Sequence, residues 1–452
     1  MPKFNLNEVL QATGGEALKV LATEFSDIST DSRKILPDFI FVALVGENFD
    51  GHSFVDLAIE KGATCIIVDK KHGNLQLNTT IIAVDNTLEA YQKIACYYRR
   101  KFDIPIVAIT GSNGKTTTKD LTAGVLSSKY NVHKTNANFN NEIGLPFTLL
   151  QMQHNHDIAV VEMGMRGIGH IKDLTIIAEP NIGIVTNVGE THMELLGNVD
   201  NIAKAKSELV EAIPDNGLVI LNADDEHVKK MSQRTKAKVI FFGIDNEADV
   251  RAFDIKYFDT NTLFNYSYDG KIYKCKIPLV GKHNVYNALA AIAVGLQMEL
   301  TQEEIQKGLD KLSLSAMRLA VMKVKEYTFI NDAYNASPMS MKAAIESLNT
   351  IAQKRKIAVL GDMLELGSIA VEAHRKIGDI LAENKIDMVV TLGEYAKNIA
   401  CQARIKGISE VYEAKDHDEI KSILRIKLQI GDTVLLKGSR GMKMEKTLEG
   451  LF

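Results

Sequence analysis

The sequence predicts an α/β protein of three domains: a central doubly wound, mostly parallel sheet with a P-loop, an α/β domain before it, and a smaller Rossmann-like domain after it. Three observations carry this expectation. The chain has 452 residues, more than one compact core covers. Short β-branched runs ending in Gly, Asp or Asn alternate with helix-length amphipathic segments, the pattern of parallel strands joined by helices. One apolar run, Ile104 to Ile109, leads into TGSNGKTT, a glycine-containing turn that opens a helix.

The runs fall into three groups. DFIFVALVG, TCIIVDK and TIIAVDN alternate with FVDLAIEKG and with LEAYQKIACYYRRKF, whose helix formers and basic end predict a helix closing the first domain near residue 102. IPIVAITG, IAVVEMG, NIGIVTNVG, LVILNADD and VIFFG build the central sheet. They are followed by an irregular polar stretch, roughly 244 to 280, and by the helix NVYNALAAIAVGLQ, so this domain is expected over 103–315. YTFINDAY, KIAVLGD, DMVVTLG and DTVLLKG form the third group, residues 316–452, a nucleotide fold without a phosphate loop of its own.

Composition narrows the function. The 53 Lys+Arg nearly balance the 57 Asp+Glu, and a net charge of −4 offers no general attraction to nucleic acid or to an anionic membrane. Any anion must be bound locally. Cys65, Cys96, Cys275 and Cys401 are far apart and form no CxxC pair, so they read as small hydrophobes of a reducing compartment. No basic and apolar leader is apparent at the N-terminus, and nowhere do eighteen apolar residues run together. The expected location is the cytoplasm.

The strand, turn and helix around TGSNGKTT aim backbone N–H groups and a helix N-terminus at one point, where a phosphate is held. Gly111, Asn113, Gly114 and Thr117 belong to this cradle. Lys115 would reach the β/γ-phosphates, and the Thr116 hydroxyl would bind Mg²⁺. Glu162, in VVEMGMRG, and His192, in TNVGETHMELLG, end or follow two further strands at the same expected edge. A carboxylate and an imidazole beside a triphosphate can hold Mg²⁺, although a lone loop histidine equally serves as a hydrogen-bonding residue. Lys204 and Lys206 in IAKAKSELV would by default be solvated.

The general phosphate-loop pattern is not met, because Ile109 stands where its first glycine would be. The short form TGSNGKTT instead resembles the ATP loop of the Mur ligase family, which includes the folylpolyglutamate synthetases. That resemblance extends over nearly the whole chain. It implies that Glu162 and His192 bind the metal bridging ATP and acceptor, and that Lys206 carries a carbamate and completes the catalytic set with Lys115. Helix register supports an inward Lys206 weakly: Ile202, Ala205 and Leu209 mark an apolar stripe with Lys206 at its border and Lys204 farther round. The resemblance further implies that Asn284 contacts adenine with His283 and Asn287 in support, that Arg318 reaches the ATP phosphates, and that Asp332 binds ribose.

Within the family, NDAYNASPMSMKAAIESL, LGDMLELG and KGSRGMKMEK resemble the branch that adds D-alanyl-D-alanine to UDP-MurNAc-tripeptide. Ser337 replaces the usual Asn of NANP, a mild change between small polar turn residues. The segment STDSRKILPDFIFVALVGENFDGH resembles the family's UDP-binding domain, with Thr30, Asp31, Ser32 and Arg33 as a polar turn suited to the nucleotide. Asn140 and Asn141 of NFNNEIGLP, and Tyr334 and Asn335 of NDAYN, are the remaining implied substrate contacts. The related third-residue-adding ligase usually carries a DNPR-like motif, which this sequence lacks.

The chemistry implied is activation of a carboxylate, a poor electrophile, as an acyl phosphate that the dipeptide amine then attacks, by a monomeric enzyme using ATP and Mg²⁺. A folylpolyglutamate synthetase would share the central motifs but not the UDP-domain resemblance. A P-loop regulatory switch would need one nucleotide domain and no Arg318 or Asp332 from a further one.

Overall fold

A computed structural model describes residues 3–46, 49–72, 77–312 and 317–451. It divides into two compact units. The first comprises Met1–Val107, Asn131–Gly164 and Lys172–Pro180. Its five-stranded sheet runs Glu16–Lys19, Thr80–Val84, Ala63–Asp69, Phe39–Val42, Asp27–Ser29. Only the Glu16–Lys19 strand is antiparallel to its neighbour. Phe41, Ile66 and Val68 face Val55 and Ala58 of helix Val55–Glu60, so the alternation of the strands becomes a core. Helix Thr87–Arg99 starts where the Asn86 side chain accepts the N–H groups of Leu88 and Glu89. The helix runs to Arg99, whose buried guanidinium donates to the carbonyls of Phe102 and Ala178 and holds the chain that follows. In the same unit Val132–Lys134 pairs in parallel with Ile158–Glu162, and Ala159 N–H donates to Pro105 beside the start of strand Ile106–Thr110.

That strand carries the chain into the second unit, Ala108–Tyr130, Met165–Ile171 and Asn181–Phe452. Next to it lie Ile182–Val185, Leu218–Asn222 and Lys238–Gly243, the expected apolar runs. The stretch expected to be irregular is a meander: Val250–Tyr257, Thr262–Tyr268 and Lys271–Ile277 extend the sheet, the last two antiparallel. Its burial alternates over part of each strand, and its outward positions mix Lys, Asp and Asn with Leu263 and Ile272, so the two-residue period was hidden.

The last sheet runs Ala320–Val324, Tyr327–Asp332, Thr433–Lys437, Lys356–Gly361, Met388–Leu392, Glu410–Ala414, parallel after its first hairpin. Helices Pro338–Ile351, Ala370–Glu383 and Ala396–Ile405 cover one face through Ile345, Ile377 and Ile399; His417–Lys427 covers the other through Ile420 and Leu424. It is thus doubly wound. The two edge strands were not expected from the sequence, since their burial is only intermediate and their residues are interleaved with charge. The expected boundary at 315/316 lies outside the described residues.

Candidate active site

Helix Lys115–Leu126 begins at Gly114, which has φ 81° and whose Cβ, if it had one, would collide with Asn287 Oδ1. A side chain on Gly111 would strike the Thr186 hydroxyl. The segment after the next strand braces the turn. Asn113 N–H donates to Asn187 Oδ1 at 2.9 Å, while Asn187 Nδ2 and Thr186 Oγ1 donate to Asn113 O at 3.0 and 2.7 Å. Ser112 Oγ accepts from Gly189 N–H at 2.9 Å. The loop is therefore preorganised, and its helix starts without a side-chain cap, leaving that end suited to an anion. Lys115 Nζ donates to the carbonyls of Gly111 and Ser112 at 2.9 and 3.4 Å, which keeps the ammonium over the loop; Thr116 and Thr117 are buried on the first turn.

A chain of amides continues from the loop. Thr118 Oγ1 donates to Asn287 Oδ1, Asn287 Nδ2 to Asn284 Oδ1, and Asn284 Nδ2 to Val280 O. Both asparagines are buried on helix Lys282–Gln297. On the other side, Ser337 Oγ donates to Asn113 Oδ1 at 2.9 Å and also caps helix Pro338–Ile351, accepting from Ser340 N–H. The side chain whose contacts the sequence left open thus joins two elements.

His192 has φ 56° and precedes the short helix Met193–Leu196. Its Nδ1 lies 2.6 Å from Glu365 Oε2, and this hydrogen bond, outweighing the opposing effect of burial, holds the Glu365 carboxyl below the usual range. On helix Val199–Ala212, Ile202, Ala205 and Leu209 are buried together with Lys206, while Lys204 is exposed. Burial, and then the charge of Lys115, push the Lys206 ammonium well below its ordinary value. The amine is held towards its neutral form.

Asp332 Oδ2 lies 2.5 Å from Lys437 Nζ, and Oδ1 accepts from Leu319 N–H at 3.1 Å. Lys437 also donates to the carbonyl of Asn335 at 2.9 Å, so one buried lysine shapes the NDAYN turn. The Arg318 guanidinium sits 4.1 Å from the centre of the Tyr334 ring. His283 is pushed down to about 4, chiefly by loss of water.

In the first unit, Glu162 is buried at the end of its strand, with its N–H on Thr135 Oγ1 and Oε1 accepting from Asn140 Nδ2 at 2.7 Å. Asn141 Oδ1 accepts from Gly144 N–H and fixes the start of helix Gly144–Leu150. Asp31 caps the turn Ser32–Lys34 and binds the Arg33 guanidinium through both oxygens, at 2.9 and 3.0 Å. Thr30 is half-buried beside it and Ser32 is buried.

Sequence reading nominated neither Thr186 and Asn187, which shape the phosphate loop, nor Glu365 and Lys437. The last two lie in LGDMLELG and KGSRGMKMEK, blocks noted only as wholes. The signal available was a charged side chain next to a strand end in each.

Three family descriptions match the sequence: "Mur ligase family, catalytic domain" over residues 24–99, "Mur ligase middle domain" over 109–295, and "Mur ligase, glutamate ligase domain" over 317–440. UDP-N-acetylmuramoyl-tripeptide–D-alanyl-D-alanine ligase of Bacillus subtilis is 39% identical, over 95% of this chain and 93% of that one. A crystal structure of MurF from Acinetobacter baumannii superposes with a TM-score of 0.93 at 30% identity, covering 100% of this chain and 99% of that one. MurF ligase from Thermotoga maritima, in complex with ADP, gives 0.85 at 29% identity over 94% and 96% of the two chains. With the braced short loop and these full-length likenesses together, the chain belongs to the Mur ligase family.

Proposed function

We propose that this chain is an ATP-dependent ligase that joins D-alanyl-D-alanine to UDP-MurNAc-tripeptide through an acyl phosphate, giving the UDP-MurNAc-pentapeptide for peptidoglycan. The observation that carries this reading is the braced loop Gly111–Thr117, joined by the buried Lys206, whose ammonium is pushed down by burial first and by the charge of Lys115 second. The likeness in length and sequence to D-alanyl-D-alanine ligases supports the substrates.

In this reading the loop N–H groups and Lys115 take the β/γ-phosphates, Asn284 and Asn287 the adenine side, and Asp332 the ribose. Arg318 leaves the Tyr334 face for the phosphates. The tripeptide carboxylate oxygen attacks the γ-phosphorus and ADP leaves. The dipeptide amine then adds to the acyl carbon, loses its proton, and phosphate departs. Lys115 and the loop dipoles offset charge as it develops, which is where fixed donors lower a barrier most.

The side chains present fit Mg²⁺: a buried hydroxyl on Thr116, an imidazole on His192 with Nδ1 already engaged, and on Lys206 a depressed amine suited to adding CO₂ with loss of a proton. Glu162 keeps the metal role its motif implies. Bound there, the ion would supply positive charge to the phosphate oxygens. Thr30 to Arg33 take the uridine nucleotide, and Asn140, Asn141, Tyr334 and Asn335 the peptide parts. Domain limits of 102/103 and 315/316 and a cytoplasmic location complete the reading; among the described residues no helix is long and apolar enough to cross a membrane.

The test is product mass from ATP, D-alanyl-D-alanine and UDP-MurNAc-tripeptides ending in meso-diaminopimelate or lysine. Expected is a pentapeptide nucleotide from at least one. Phosphate release from ATP alone, with no adduct, would replace the ligase by a nucleotide switch.

A further inference from the structure

The LGDMLELG block has no role in the reaction as described, yet it supplies the partner of a candidate metal ligand. Glu365 Oε2 stands 2.6 Å from His192 Nδ1, and the Glu365 carbonyl accepts from Glu194 N–H at 3.1 Å. Two separate bonds thus tie the segment around 365 to the segment around 192, across 173 positions of sequence. Both residues have left-handed backbones, His192 at φ 56° and Glu365 at φ 63°. Residues other than glycine hold that conformation where their surroundings enforce it. Although the pair lies at the surface, with 25% of the histidine and 52% of the glutamate side chain exposed, an ion pair between mobile side chains would make no such demand on the backbone.

We propose that Glu365 is a positioning residue for His192. With Nδ1–H donated to the carboxylate, the ring is fixed in one tautomer, and Nε2 carries the lone pair presented to a metal ion. His192 comes from the segment that follows a strand of the central sheet, and Glu365 from the loop after strand Lys356–Gly361 of the last sheet. Correct presentation of the ligand therefore requires both elements to be in place. The inference rests on His192 being a ligand, as read above.

The experiment is Mn²⁺ binding to the full-length chain in the presence of ADP, followed through the paramagnetic resonance of free Mn²⁺. Glu365→Ala is expected to weaken binding by about ten- to a hundredfold. Glu365→Gln keeps an acceptor oxygen without the charge and is expected to lie between that variant and the unmodified protein; its melting curve shows whether the fold is kept. In a His192→Ala background the Glu365→Ala change is expected to add nothing, because its effect passes through the ring. If His192→Ala weakens Mn²⁺ binding while Glu365→Ala and Glu365→Gln do not, the positioning role is wrong and the ligand reading stands. If His192→Ala itself binds Mn²⁺ unchanged, the ligand reading is wrong, and the inference falls with it.

Discussion

Lys437 Nζ and Asp332 Oδ2 meet at 2.5 Å with only 2% of the lysine side chain and 15% of the aspartate exposed. A pair so enclosed is felt mainly when one partner is removed, because the other is left charged and without water. Lys437→Met is expected to cost about 3–5 kcal/mol of stability, read from denaturant unfolding. Asp332→Ala should lose stability for the same reason and, assayed where it is folded, should raise the KM for ATP with less change in kcat, since a ribose contact is made alike in ground and transition states. A fall in kcat at constant KM would remove the ribose role.

Lys115 donates to the loop carbonyls of Gly111 and Ser112 at 2.9 and 3.4 Å and is half-buried. Lys115→Ala is expected to lower turnover by about a hundredfold or more while leaving the melting temperature near its original value. Turnover close to wild type would contradict the phosphate-loop assignment.

Ser337 caps helix Pro338–Ile351 and reaches Asn113. Ser337→Ala should cost about 1 kcal/mol through the lost cap alone. Ser337→Asn, which can cap in the same way, should be close to neutral. Equal losses in the two variants would show that the cap is not what the side chain provides.

The central sheet and the loop were legible because β-branched runs, glycine and the helix start are local in sequence. The meander over 250–277 was not, since its outer face mixes charged and apolar side chains and blurs the two-residue period. Lys206 against Lys204 could be separated by helical register, a local property. Glu365 and Lys437 could not be assigned partners, because pairings such as 365 with 192 and 437 with 332 are set by sheet order and loop packing. The bond from Asn140, expected as a substrate contact, to the Glu162 carboxylate is a pairing of the same kind.

Acid should destabilise the fold through the buried His374 and the half-buried His283. His374 Nε2 accepts from Met363 N–H at 2.9 Å and Nδ1 donates to the carbonyl of Ala370, so the ring must be neutral, and burial pushes its pKa down. His283 is pushed down to about 4. Below about pH 6.5 the unfolded chain takes up protons that the folded one refuses, so stability is full above that pH and falls as acid is added. Melting temperatures from pH 7.5 to 5 should drop, and His374→Gln should flatten part of that slope. A slope unchanged in that variant would exclude His374 as a source.

Lys206→Ala should lose most activity and regain part of it with added short carboxylic acids, which can supply the missing negative oxygen ligands. Full activity without them would exclude the carbamate.

The reaction path is tested most directly by following oxygen from the tripeptide carboxylate. With that carboxylate enriched in heavy oxygen, and with ATP and D-alanyl-D-alanine present, an acyl-phosphate route transfers one labelled oxygen to the released phosphate for each pentapeptide formed. Labelled phosphate in step with product is the predicted result; unlabelled phosphate accompanying the same product would contradict it.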